Sequence, residues 1–194
     1  MTTEKGKLII LSGPSGSGKG TIVERLLQQE DLPIRVSISA TTRAPRPQEQ
    51  DGVNYYFLSH DEFQRRLAAG ELLECKEVFG QKDWYGTLRD EVTSGFKDGK
   101  WVLLEIDVEG ALSVLEHHPN ALTIFVDPGS MEELENRLRK RQTESEESIR
   151  RRLEVALREL KQIDLYRHVI INDDVERAVQ EIRDILTNSG EENA

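Results

Sequence analysis

The chain has 194 residues, 37% of them hydrophobic and 32% charged, a balance that suits one folded domain with a full core rather than a disordered or fibrous chain. Its formal net charge of −10 argues against a general nucleic-acid or anionic-membrane binder, since both need a positive face; a local basic pocket for a small anion stays open. A single cysteine, Cys75, excludes an internal disulfide and a cysteine metal cluster.

Lys7–Ser12 is apolar and reads as a buried strand. The turn Gly13-Pro14-Ser15-Gly16-Ser17-Gly18-Lys19-Gly20-Thr21 follows, and Ile22, Val23, Leu26 and Leu27 then recur at helical spacing over Thr21–Gln29. Gly13, Gly18 and Lys19 match the P-loop pattern G-x-x-x-x-G-K-[ST] up to its last position, in the strand–turn–helix context it requires. Glycines there let backbone N–H groups converge on phosphate oxygens at a helix N-terminus, and Lys19 adds a point charge. Gly20 stands where a magnesium-ligating hydroxyl is expected, with Thr21 directly after it.

Arg35–Ser39 reads as a second short strand. The stretch after it is polar and carries Arg43 and Arg46 in a segment stiffened by Pro45 and Pro47. Two fixed guanidinium forks suit a phosphate, although a solvated loop has the same composition. Val53–Leu58 is strand-like, and Ser59 with Glu62 forms a capping-box pattern for a helix that Gly70 ends. Leu72–Phe79 alternates apolar and polar residues, with Glu74, Lys76 and Glu77 near one face. A turn at Gly80–Asp83 leads to Trp84-Tyr85-Gly86-Thr87, and a helix follows over Arg89–Phe96. Trp101–Asp107 is a buried strand ending in acidic residues, a place where P-loop proteins set a carboxylate beside metal and phosphates. Asp107 is favoured for that role and Glu105 comes second; capping of the next helix is the plain alternative.

Ala121–Val126 is another strand. Ser130 with Glu133 caps a helix to about Lys140, and a second, longer helix starts near Ser148. Arginines crowd both helices. Most belong to solvated faces, yet two basic clusters across a break also suit a flap closing over phosphate. His168–Asn172 is the last strand and Asp173–Leu186 an amphipathic helix. The histidines His60, His117, His118 and His168 show no metal-ligand spacing. No apolar run approaches ~20 residues, so we expect a cytoplasmic protein that uses neither membrane nor nucleic acid as a partner. Strands alternating with helices predict an α/β fold with a parallel sheet, binding nucleotide at the carboxyl ends of its strands.

These motifs, in this order and over nearly the whole chain, resemble the guanylate kinase family. The matching stretches are Ser12-Gly-Pro-Ser-Gly-Ser-Gly-Lys19, Ser39-Ala-Thr-Thr-Arg-Ala-Pro-Arg46, Asp51-Gly-Val-Asn-Tyr-Tyr-Phe57, Glu71-Leu-Leu-Glu74, Trp84-Tyr-Gly-Thr87, Leu104-Glu-Ile-Asp-Val-Glu-Gly110, Arg141-Gln-Thr-Glu-Ser-Glu-Glu-Ser-Ile149 and Val169-Ile-Ile-Asn-Asp-Asp174. The resemblance implies a P-loop parallel-sheet core flanked by helices (residues 1–34, 88–127 and 160–194), an inserted β-rich GMP-binding lobe (35–87) and a helical lid (128–159). It implies phosphoryl transfer from ATP to GMP, and to dGMP, with Mg2+. By motif position, Arg43, Arg46, Tyr55 and Tyr85 would hold the GMP phosphate, and Ser39, Glu74, Thr87 and Asp107 would read guanine. Residues 13–21 with Arg137 and Asn172 would hold ATP, with Asn172 at the adenine. Lys19, Arg43, Arg141 and Arg152 would serve the transferring phosphoryl group. Asp107 is open to guanine recognition, metal organisation or both, and the metal is open to Thr21 or Asp107, directly or through water. A kinase for another nucleoside monophosphate and a non-catalytic binding module of the same fold are the remaining readings. The turn between Phe79 and Tyr85 is longer than the family's usual spacing.

Overall fold

A computed structural model describes residues 6–29, 31–78, 82–140 and 145–188. Its strands are β1 (Leu8–Ser12), β2 (Ile34–Val36), β3 (Ser39–Thr41), β4 (Tyr56–Phe57), β5 (Leu72–Val78), β6 (Asp83–Leu88), β7 (Trp101–Glu105), β8 (Leu122–Asp127) and β9 (His168–Ile171). The helices are α1 (Lys19–Leu27), α2 (His60–Ala68), α3 (Arg89–Lys97), α4 (Val108–His117), α5 (Met131–Lys140), α6 (Glu146–Leu160) and α7 (Val175–Asn188). One sheet has the strand order β2-β7-β1-β8-β9, and the other β4-β3-β6-β5. None of the helices among the described residues is long and apolar enough to cross a membrane.

The chain divides into two compact units. The first holds the residues through Ile9, Pro33–Leu104 and Glu109–Ala121; the second holds Ile10–Leu32, Glu105–Val108 and the residues from Leu122 onward.

In the first unit β2 pairs parallel with β7, with Ile34 opposite Trp101. Helix α3 lies so close to β7 that a Cβ on Gly95 would collide with Val102 Cγ2. The second sheet carries one apolar face: Ala40, Phe63, Leu72 and Leu88 form its core, with Tyr56, Leu58, Leu67, Cys75 and Trp84 packed around them. The predicted strand Arg35–Ser39 is two strands in different sheets. Ser37 and Ile38 lie between them, where the Ile38 N–H donates to the Glu91 carboxylate at 3.4 Å. Five alternating polar and apolar residues in a row carry no mark of that change of partner, because strand pairing is a long-range choice.

In the second unit β8 pairs parallel with β9, Phe125 opposite Val169. Helices α5 and α6 meet over Leu134, Leu138 and Ala156, flanked by Met131 and Leu153. Both predicted capping boxes form only their first half. The Glu62 N–H donates to Ser59 Oγ and the Glu133 N–H to Ser130 Oγ, each at 3.1 Å. The glutamate side chains turn instead to arginines, Glu62 to Arg65 and Arg66, Glu133 to Arg137. Helix α6 starts at Glu146, capped by Ser145 Oγ, earlier than Ser148.

Candidate active site

Residues Gly13–Thr21 lie wholly in the second unit. Gly13 and Gly18 have φ of 136° and 97°, the left-handed region that favours glycine. A Cβ would strike the Val126 carbonyl oxygen at Gly13 and the Asn172 carboxamide nitrogen at Gly18, so both positions also lack room. Gly18 is the N-cap of α1 and offers no side chain to its first N–H groups. Those donors and the positive end of the helix dipole make an anion site. Lys19 Nζ bends back over the loop, donating to the carbonyls of Gly13 at 2.6 Å and Pro14 at 3.0 Å.

Three sequence-predicted residues meet the loop from elsewhere in this unit. Asn172 Nδ2 donates to the Ser17 carbonyl at 2.7 Å; Arg137 donates to the same carbonyl at 3.2 Å and to the Asn172 carbonyl at 2.6 Å. Arg137 is itself aimed by Glu133 at 2.9 Å. Arg152 reaches Ser15 Oγ at 3.5 Å. Gly16 sits against α5, where a Cβ would come within 3.0 Å of both Leu134 Cδ1 and Leu138 Cδ2. Arg141 lies outside the described residues.

Thr21 ends the loop, Glu105 Oε1 lies near Gly20, and Asp107 follows two residues after Glu105. Thr21 and Glu105 are exposed and Asp107 is half-buried. Strand β7 stops at Glu105 and α4 starts at Val108, so Asp107 belongs to the connection between them rather than to the strand. Although the residue is exposed, protein atoms crowd the Glu105 carboxyl and desolvate it, which pushes it upward, and the nearby Lys19 ammonium pulls it back down. Gly20 has open space: an added Cβ would meet Glu105 Oε1 at an ordinary 3.7 Å. Sterics therefore do not explain the missing hydroxyl there. No three His, Cys, Asp or Glu side chains gather into a metal site among the described residues. The oxygens present suit a hard divalent cation that takes one or two protein ligands and fills the rest with phosphate and water.

The first unit holds a second polar surface, built by strand register. Ser39 pairs with Thr87, and Thr87 with Glu74, so the three form one row across β3, β6 and β5. Thr41, Tyr85 and Lys76 form the parallel row two residues along, on the same face. Residues Ala40, Gly86 and Cys75 between the rows point to the apolar side. A bulge between Leu72 and Glu74 makes this possible. Without it Leu73 would stand opposite Thr87, and the carboxylate would face the core. Glu74 is 9% exposed and accepts a 2.7 Å bond from Thr87 Oγ1. Glu77, expected near Glu74, pairs with Trp84 on the opposite face, because the strand's period is two.

Arg43 is fixed from several sides. Its Nε donates to Tyr85 Oη at 3.0 Å, one Nη to the Ala44 carbonyl at 2.8 Å and the other to Glu49 Oε1 at 2.9 Å. The guanidinium lies 5.5 Å from the Tyr55 ring centroid and 5.9 Å from that of Phe57. Tyr55 and Tyr85 meet edge to face at 5.9 Å. Arg46 is exposed and its backbone N–H donates to Glu49 Oε2 at 2.8 Å. Ser39, Arg43, Tyr55, Glu74, Tyr85 and Thr87 thus lie in this unit, while Asp107 belongs to the second.

Two carboxylates escaped the sequence reading. Glu49 is one. The other is Glu91, 7% exposed, which accepts from Tyr56 Oη at 2.8 Å and from Arg35 at 3.3 Å and so ties β2, β4 and α3 together. The Tyr56 phenol is raised by that bond. Glu91 looks in sequence like any acidic residue in a helix's first turn; only its neighbours distinguish it.

Residues 5–189 match the family model described as guanylate kinase. A guanylate kinase of Rhodopirellula baltica is 54% identical over 186 residues, covering 95% of this chain and 89% of that protein. A guanylate kinase of Caldanaerobacter subterraneus is 48% identical, covering 94% of this chain and 87% of its own length. The crystal structure of guanylate kinase from Anaplasma phagocytophilum superimposes with a TM-score of 0.77 at 34% identity, covering 97% of this chain and 88% of that one. With this coverage, the chain belongs to the guanylate kinase family.

Proposed function

We propose that the protein transfers the γ-phosphoryl group of ATP to GMP, and to dGMP, releasing ADP and GDP. The observation that carries the reading is the Ser39–Thr87–Glu74 row, with the Arg43–Tyr85 pair one step along the same face. Two residues of strand separate Thr87 from Tyr85, roughly 7 Å, so a polar edge and a guanidinium stand apart along one face. A nearly buried carboxylate accepts from both the N1–H and the exocyclic amine of guanine. Adenine offers no such pair of donors and would leave the Glu74 charge unpaired. Asp107 adds a second carboxylate for guanine or for the metal.

The phosphate of GMP is its own nucleophile: one of its oxygens attacks the γ-phosphorus while the bond to the bridging oxygen of ADP breaks. The chain's task is to position and to balance charge. We assign the GMP phosphate to Arg43, Arg46, Tyr55 and Tyr85. The ATP phosphates go to the backbone of residues 13–21, with Arg137 and Asn172 fixing the loop arm at Ser17. Lys19, Arg43, Arg141 and Arg152 spread the charge of the transferring group, and residues 128–159 act as the lid that keeps water out. Thr21, Glu105 and Asp107 fit Mg2+, which when bound neutralises phosphate charge. We place the activity in the cytoplasm.

The test is a coupled assay of ADP release. ADP should form with ATP only when GMP is added, and GDP should appear in equal amount. ADP release that is independent of GMP, or GMP left unconsumed, overturns the reading.

A further inference from the structure

The loop 44–50 is exposed throughout except at Glu49, whose side chain is only 15% exposed. Its two carboxylate oxygens have separate tasks: Oε1 takes a bond from Arg43 Nη2 at 2.9 Å, and Oε2 takes one from the Arg46 backbone N–H at 2.8 Å. A turn bond from the Glu49 N–H to the Arg46 carbonyl at 2.9 Å closes the loop on itself. Resting on the assignment of Arg43 and Arg46 to the acceptor phosphate, we propose that Glu49 is the positioning residue of that phosphate site. It holds both arginines at a fixed separation and acts on the nucleotide only through them.

The hydrogen-bond inventory separates this role from its opposite, a carboxylate that competes with phosphate. A guanidinium has five N–H donors. Among the described residues Arg43 spends one each on Tyr85, Ala44 and Glu49, which leaves one on each terminal nitrogen. Both terminal nitrogens thus keep a donor for phosphate, so Glu49 need not leave for phosphate to bind. The Arg43 and Arg46 bonds hold the Glu49 carboxyl below the usual range, so it stays charged at neutral pH. Glutamine has the same shape but can accept at one position only; its amide nitrogen would face a donor.

Glu49→Gln should weaken GMP binding about tenfold, the size of one charge-assisted hydrogen bond, while guanosine binding and the KM for ATP stay unchanged. In an Arg43→Ala background the same substitution should have a smaller effect, because only the bond to the Arg46 backbone remains. Titration calorimetry with GMP, guanosine and AMP on wild type, both single variants and the double variant reads all of this. Unchanged or tighter GMP binding in Glu49→Gln overturns the proposal, as does equal loss of GMP and guanosine or an undiminished effect without Arg43. Wild-type protein that fails to prefer GMP over AMP would instead sink the proposed function, a result the same titrations distinguish.

Discussion

Replacing Thr87 by valine tests the acceptor surface at its most buried point. Valine keeps the volume and the branched Cβ that suit β6, and deletes only the hydroxyl that donates to Glu74 Oε1 at 2.7 Å. Thr87 is 1% exposed and Glu74 9%, so water does not readily take the donor's place. Losing one hydrogen bond to a buried charge costs about 1.5–3 kcal/mol. For a chain of this length a loss near 2 kcal/mol lowers the melting temperature by about 4–8 °C. The carboxylate also loses the group that aims it, so the KM for GMP should rise roughly tenfold, equivalent to about 1.4 kcal/mol, with the KM for ATP unmoved. Thr87→Ser, which keeps the hydroxyl, should recover most of both effects. Thermal melts and steady-state kinetics on the two variants are sufficient. A valine variant with wild-type stability and wild-type KM for GMP would refute the reasoning, and so would equal shifts in both KM values.

Lys19→Met should fold, since the side chain's bonds are to loop carbonyls of Gly13 and Pro14, yet lose about 100- to 1000-fold in kcat; near-normal turnover would remove Lys19 from the chemistry. Two glycine substitutions should differ in sign. Gly13→Ala meets both a φ of 136° and the Val126 carbonyl and should cost at least about 1–3 kcal/mol in urea unfolding. Gly20→Ala, in open space within the first turn of α1, should stabilise by about 0.5–1 kcal/mol, and destabilisation there would contradict the geometry. Burial pushes the Tyr166 phenol up to about 12, with Asp107 and Glu159 adding to the rise and Ser12 opposing it. The folded state therefore holds the proton longer than the unfolded state. Its contribution is full below about pH 10 and is lost as pH rises toward 12. Unfolding midpoints measured across that range should fall less steeply for Tyr166→Phe; an identical slope would contradict it.

The P-loop was legible because its meaning is local: a strand, a glycine turn and a lysine within one short stretch fix their own geometry. The polar row of the acceptor surface was legible only through motif resemblance. What aligns Ser39, Thr87 and Glu74 is the register of three strands and a bulge at Leu73, and neither is written in neighbouring residues. The same limit explains Glu49 and Glu91, acidic residues whose roles come from arginines and tyrosines distant in sequence or across a turn. It explains Asp107 as well. The apolar run of β7 gives no sign that pairing stops at Glu105 and leaves the aspartate in a connection. Arg137 was identified by its motif; its bonds to the Ser17 and Asn172 carbonyls need the fold to be seen.

The most direct measurement compares kcat/KM for GMP, AMP, UMP and CMP with ATP as donor, by ADP release, in wild type and in Glu74→Ala. GMP should be preferred by several orders of magnitude in wild type. The alanine variant should lose that preference through the KM for GMP and keep its KM for ATP. A second monophosphate used as well as GMP, or a preference that survives the loss of Glu74, would contradict the assignment of guanine reading to this surface.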